Sequence, residues 1–299
     1  MTEASRFESI EDVQTRLRQQ SYIADRALAT TIFLSDRLEK PLLLEGEAGV
    51  GKTEVARTLA SALDTRLIRL QCYEGIDVNH AVYEWNYARQ LLHIRSAVDR
   101  SDGVDVLAEI YGPEFLIRRP LLQSIDHDSP KPPVLLIDEV DRSDDEFEAF
   151  LLELLSDFQI TIPEIGTITA QVAPLVIMTS NRTREIHDAL KRRSLYHWID
   201  LPSVEKELEI LSARVPELPE RLARQVAVFV HELRDQDLYK TPGIAETLDW
   251  ARALLELGCP ELDAQAIEQT LACLLKHQED HLNVREAGIE AMIGRSAGC

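Results

Sequence analysis

The chain has 299 residues, with 32 Lys+Arg against 52 Asp+Glu, a formal net charge of −20 and 45% hydrophobic residues. That length suits one large domain or a core with a smaller appendage, and the composition excludes disorder as the main state. No apolar run approaches the roughly 20 residues that span a bilayer, and the acidic balance disfavours general nucleic-acid binding because it repels phosphate backbones.

Taken in chain order, the opening residues predict helix, with Ile10, Val13 and Leu17 and then Ile23, Ala27 and Leu28 recurring near the helical period. The start MTEASRFESIEDVQ carries acids and no apolar stretch of a secretory signal. The four cysteines, Cys72, Cys259, Cys273 and Cys299, are too scattered for a disulfide framework, so a reducing cytoplasm is expected. Pro41–Leu44 reads as a short buried strand, followed by a Gly-rich turn, a helix from Lys52 to about Leu63 and a second strand at Leu67–Leu70. The stretch from Tyr73 to Ile117 has no clear period. Val134–Ile137, introduced by two prolines, predicts a central parallel strand, and Ser143 with Glu146 predicts a capping box opening a helix whose apolar face runs from Phe147 to Phe158. Gln159–Ile162 and Thr167–Val172 alternate about a Pro163–Gly166 turn, as in a hairpin, before a further buried strand at Leu175–Met178. Strands alternating with helices argue for an α/β fold, a parallel sheet flanked by helices. After Leu201-Pro202-Ser203 only helical spacings appear, from Leu208 to Leu274. The expected division is an α/β domain over 1–201, with an N-terminal helix and a hairpin insertion near 158–172, and an all-helical domain over 202–299.

Three segments carry chemistry. Gly46-Glu47-Ala48-Gly49-Val50-Gly51-Lys52-Thr53 matches GxxxxGK[ST] at every fixed position and sits between a strand and a helix. Glycines let successive backbone N–H groups face nucleotide phosphates, and the helix start adds its positive dipole end. Lys52 brings a point charge to the β- and γ-phosphates, and the Thr53 hydroxyl is a Mg²⁺ ligand; with Glu54, residues 46–54 form the expected cradle. Leu135-Leu136-Ile137-Asp138-Glu139 delivers two carboxylates at the end of a buried strand, where open α/β sheets bind ligands. Asp138 is placed to hold Mg²⁺, largely through water, and Glu139 to take a proton from an attacking water. Val176–Asn181 repeats the pattern, with Asn181 as a polar tip suited to orienting that water or contacting the γ-phosphate, or as an ordinary strand-ending asparagine. Ala189-Leu190-Lys191-Arg192-Arg193 follows, a basic knot in an acidic chain, read either as surface charge or as an arginine reaching a neighbouring subunit's nucleotide.

Together these segments resemble the AAA+ ATPases, and within them the MoxR family, from Ser21 to about Pro260. The specific pieces are GEAGVGKT, LLIDEVDR, the hairpin, VIMTSN and ALKRRSLYHWIDLPS. The wording QCYEGIDVNHAVYEWNYARQLLHIR is similar to the branch called CoxD, which serves maturation of molybdenum–copper carbon monoxide dehydrogenase. The resemblance implies ATP hydrolysis with ATP/ADP and Mg²⁺ as cofactors, in a ring, usually a hexamer, with each site at a subunit boundary. It also implies an adaptor with a von Willebrand A domain and a metalloenzyme client such as a molybdenum hydroxylase; the charge and the lack of a long apolar run lead us to expect no nucleic acid and no integral membrane segment. Carried over by position, Lys52 and Thr53 correspond to Walker A, Asp138 and Glu139 to Walker B, Asn181 to sensor 1 and Arg193 to the arginine finger, with Arg192 second. One departure stands out: the family often has Ser-Pro-Arg at a lid-helix start, and here Thr241-Pro242-Gly243 lacks that arginine, leaving Lys240 or Arg252 as replacements.

Other features have plainer explanations beside functional ones. Tyr83, Trp85 and Tyr87 alternate as in a strand, for core packing or a partner-facing insertion; Arg118-Arg119 suits an interface or the surface. Cys273, His277 and His281 share one side of an expected helix, too spread along it to surround one metal ion. Two other functions fit the motifs: a nucleotide-gated binding module whose slow hydrolysis is a timer, and a nucleic-acid remodelling motor, which the charge opposes. A P-loop kinase fits less well, because Glu139 and Asn181 suit water rather than a hydroxyl substrate.

Overall fold

The computed structural model describes residues 5–98, 109–127, 129–289 and 292; Cys299 lies outside them. In chain order the strands are β1 (Leu42–Gly46), β2 (Leu67–Gln71), β3 (Tyr83–Trp85), β4 (Leu116–Arg118), β5 (Val134–Asp138), β6 (Gln159–Ile162), β7 (Gly166–Thr169), β8 (Leu175–Ser180) and β9 (Leu195–Ile199). Five of them form one parallel sheet in the order β2-β5-β8-β1-β9. The continuous apolar runs are explained by burial on both faces: Leu42 and Leu44, Val134 and Leu136, Leu175 and Ile177 face one core, while Leu43, Leu135, Ile137, Val176 and Met178 face the other. Each such side chain contributes about 1.5–3 kcal/mol on burial.

Helices Arg26–Leu38 and Lys52–Ala62 and the N-terminal helix Ile10–Gln19 cover the first face. Ser9 and Asp25 cap the helices at 10 and 26, accepting from the N–H groups of Asp12 and Leu28. On the second face lie helix Asp145–Asp157, the antiparallel β6–β7 hairpin, and the β3–β4 pair that organises the stretch without a clear sequence period. The expected Ser143–Glu146 capping box is corrected: Asp144 is the N-cap, accepting from Phe147 N–H at 2.8 Å. Ser143 ends the preceding 3₁₀ turn instead, donating its hydroxyl to the Val140 carbonyl. β9 was not anticipated as a strand; it pairs with β1 at the sheet edge, where partial exposure leaves its pattern mixed.

From Ser203 onward the described chain is helical, with helices Val204–Arg214, Glu220–Arg234, Ile244–Glu256, Ala264–Leu274 and Gln278–Ala287 packed around Trp250 and Phe229. Trp250 Nε1–H donates to Thr270 Oγ1 at 2.7 Å, pairing the one polar atom of a wholly buried ring. The helix expected to carry Cys273, His277 and His281 is interrupted: one helix ends at Leu274 and His277 is the N-cap of the next, its ring tilted against that of Tyr239. Among the described residues no group of three or more His, Cys, Asp or Glu converges as a metal site, and no helix is long and apolar enough to cross a membrane.

Candidate active site

The loop after β1 turns through Gly49 (φ +86°) and Gly51 (φ +95°), conformations that L side chains rarely adopt. Gly51 is the N-cap of helix Lys52–Ala62 and no side chain caps it, so the helix start presents its N–H groups and positive dipole end to the adjoining space. Lys52 is buried and its Nζ donates to the carbonyls of Gly46 (2.8 Å) and Glu47 (2.6 Å). Burial holds the Lys52 ammonium below its usual pKa, against the opposing pull of the Asp141, Asp138 and Glu139 charges.

β5 and β8 bring the acidic edge to the same place. Asp138 is 3% exposed; its Oδ1 accepts from the hydroxyls of Thr53 (3.0 Å) and Thr179 (2.6 Å), and its Oδ2 from Arg69 Nε (3.0 Å) and Nη2 (2.5 Å). Glu139 has φ +55°, a left-handed conformation uncommon for a residue with a side chain, and its N–H donates to Thr179 Oγ1 at 2.9 Å. Its carboxylate accepts from Gln71 Nε2 and Arg142 Nη1, each at 3.0 Å, and from Asn181 Nδ2 at 3.4 Å. Asp141 ties β8's exit to β5's by accepting from the Thr183 N–H and hydroxyl at 2.8 and 2.7 Å. Beside them burial, reinforced by the Asp138 and Asp141 charges, pushes the Cys72 thiol up to about 12, so it stays protonated.

Beside these groups lies a cavity of about 390 Å³ at the C-terminal edge of the sheet, within the usual size of small-ligand sites. Lys52, Thr53, Glu139 and Asn181 line one end, and Tyr22, Ile23, Ile210, Ile244 and Leu248 form an apolar end between the N-terminal segment and the lid helices. Arg214 also lines it and pairs with Glu54 at 2.9 Å. Gly243 meets the loop directly: a Cβ there would stand 2.7 Å from the Cα and carbonyl oxygen of Gly49, and Ile244 N–H donates to that carbonyl at 3.0 Å. Any larger residue at 243 needs the lid to back away, which gives the departure from Ser-Pro-Arg a steric reason. Neither Lys240 nor Arg252 reaches this cavity; Arg252 pairs with Asp249 on its own helix.

Of the residues anticipated for the cradle, Ala48, Gly49, Gly51, Lys52, Thr53 and Glu54 line the cavity. Val50 is buried in the core, and Gly46 lies where a Cβ would stand 2.4 Å from the Ile199 carbonyl, so these two shape the loop from behind. Glu47 turns outward, its carboxylate accepting from Thr241 Oγ1 at 3.2 Å. Arg192 and Arg193 do not line the cavity of their own chain. Arg193 Nη1 donates to the Leu152 carbonyl (2.8 Å) and to Ser156 Oγ, whereas the Arg192 side chain is 82% exposed, with Asp188 at 4.0 Å. Arg69, Gln71, Arg142, Asp141 and Arg214 were not anticipated. The alternation of Leu67-Ile68-Arg69-Leu70-Gln71 carried a signal for the first two: its polar positions fall on one side of a strand paired with the acidic one, Gln71 opposite Asp138.

The order of the parallel sheet, the phosphate-type loop after β1 and the acidic end of β5 define a P-loop ATPase-type fold. Residues 41–194, just over half of the chain, match the model of the AAA domain, dynein-related subfamily, and the chain belongs to that family. It is similar to uncharacterized proteins of Staphylococcus aureus strains USA300 and NCTC 8325, each 26% identical over 247 residues spanning 78% of this chain and 82% of the relative. Among solved structures it is similar to the RuvB Holliday junction branch migration motor of Thermotoga maritima, at 16% identity, covering 89% of this chain and 72% of that one with a TM-score of 0.44.

Proposed function

We propose that this protein is a ring-forming, Mg²⁺-dependent ATPase of MoxR type, closest to the CoxD branch. The reading rests on one observation: Lys52, Thr53, Asp138, Glu139 and Asn181, from three separate sequence segments, converge beside one cavity. In this reading the loop amides and Lys52 bind the triphosphate, and the apolar end between Tyr22 and Leu248 receives the base. Thr53 Oγ1 and Asp138 Oδ1 lie 3.0 Å apart, a hard-oxygen donor set of the kind Mg²⁺ takes, so the residues present fit the ion and would hold it. Bound there, Mg²⁺ neutralises phosphate charge. Glu139 takes the proton of the attacking water, and Asn181, already bonded to Glu139, orients that water.

An arginine from a neighbouring protomer completes the site. Arg193 holds the register of the family's finger, and Arg192 offers the freer side chain. The ring is hexameric and cytoplasmic, works with an adaptor bearing a von Willebrand A domain, and remodels or loads a metalloenzyme such as a molybdenum hydroxylase. The support for this finer reading is the wording of residues 71–95 and 176–181. The acidic charge weighs against a nucleic-acid substrate. Turnover of ATP by the purified chain, with loss in Lys52→Ala and in the mixed ring carrying Arg193→Ala or Arg192→Ala, tests the reading. A 33.9 kDa monomer by light scattering with ATP at micromolar concentration, or no turnover with any candidate adaptor, overturns it.

A further inference from the structure

Arg69 makes the most unusual contact at the acidic edge. Its guanidinium puts both Nε (3.0 Å) and Nη2 (2.5 Å) on one oxygen, Oδ2, of Asp138, while Oδ1 is held by two threonine hydroxyls. The two partners are unequal: the Asp138 side chain is 4% exposed and that of Arg69 is 44% exposed. The carboxylate is fixed inside the sheet edge, whereas the guanidinium comes from the edge strand β2 and has solvent to move into. A buried carboxylate without a counter-charge is costly, so some cation must sit at Asp138 in every state of the protein. A divalent cation at Oδ1 and a guanidinium at Oδ2 share one carboxylate and repel each other strongly at such range, and screening at a side chain 4% exposed is weak.

We propose that Arg69 is the resident counter-ion of Asp138, holding the carboxylate in the nucleotide-free chain and leaving Oδ2 when a divalent cation arrives with its nucleotide. This rests on the nucleotide reading given above. Arg69 is thus a positioning residue: it keeps Asp138 aimed, and it sets the affinity for the metal by competing with it. The exchange also makes metal-free nucleotide binding and metal-loaded binding two distinct states of β2.

The test is Mn²⁺ binding to the full chain at saturating ADP, followed by the electron paramagnetic resonance signal of free Mn²⁺, for the unmodified protein, Arg69→Met and Arg69→Lys. Removing the competing charge raises Mn²⁺ affinity in Arg69→Met by about tenfold or more, and Arg69→Lys, which keeps the charge but loses the two-pronged contact, falls between. Melting temperature supplies the second readout: Arg69→Met melts lower than the unmodified protein without metal and gains more on adding Mn²⁺ and ADP. If Arg69→Met does not fold, an increased Mn²⁺ affinity in Arg69→Lys still supports the exchange. Equal or weaker Mn²⁺ affinity in the variants, with ADP bound normally, overturns this inference and leaves the nucleotide reading standing. No ADP binding by the unmodified chain overturns both.

Discussion

Two buried charge clusters in this protein invite comparison, one at the sheet edge and one in the helical region. In the lid, Arg234 makes two bonds to Glu207, at 2.6 and 2.8 Å, and the glutamate also accepts from Thr247 Oγ1 at 2.8 Å. Both ionic side chains are 5% exposed or less, Arg234 Nε donates to the Pro242 carbonyl, and Nη2 also reaches Thr247 Oγ1. At the sheet edge Asp138 is equally buried, yet its partner Arg69 is half in solvent and Glu139 sits on a strained backbone beside an open cavity. A charge pair closed on all sides is scaffold, because nothing can enter to exchange with it. A buried carboxylate whose counter-charge can leave is poised to receive something else.

The sharpest way to break the comparison is to change one oxygen at the open cluster. Glu139→Gln is expected to slow ATP turnover by about 10²–10⁴-fold while leaving the melting temperature nearly unmoved, checked by steady-state phosphate release and thermal unfolding; turnover near that of the unmodified protein would remove Glu139 as the base. The closed cluster should respond in the opposite way. Glu207→Ala strands the Arg234 charge and is expected to cost about 3–5 kcal/mol of stability, measured by urea unfolding, far more than any change in the chemistry of hydrolysis itself.

Smaller effects sharpen the boundary between the two regions. Gly243→Ala puts a methyl 2.7 Å from Gly49 and is expected to cost about 1–3 kcal/mol, seen as faster amide exchange in helix Ile244–Glu256 with β5 and β8 unaffected. The smallest effect concerns pH. Burial holds His197 on β9 below its ordinary pKa, aided by Lys206 and opposed by Asp25 and Asp200. The folded chain therefore takes up this proton less readily than the unfolded one, and stability falls as pH drops through the ordinary histidine value of about 6.5 toward the lower folded one. His197→Gln should flatten that part of the stability profile.

How much was legible beforehand follows from range. The P-loop and the buried strands were readable because their chemistry is contiguous: five neighbouring residues state both the strand and its polar tip. The helices of the lid were readable from their spacing. The capping box failed because two candidate caps, Ser143 and Asp144, stand side by side and only the preceding turn decides between them. The roles of Arg69, Gln71 and Arg214 were hidden for another reason. Each acts across strands or between sheet and lid, and Arg214 is 160 residues from Glu54; nothing local marks such a pairing.

The glycine-to-glycine contact between residues 49 and 243 has a mechanical consequence. A flexible arginine bridging the two parts would give like a spring, its slack absorbing small displacements. Here main chain rests on main chain with a bond across it, a joint with almost no backlash. The loop thus bears directly on the base of a 13-residue helix whose Trp250 is buried in the core of the bundle.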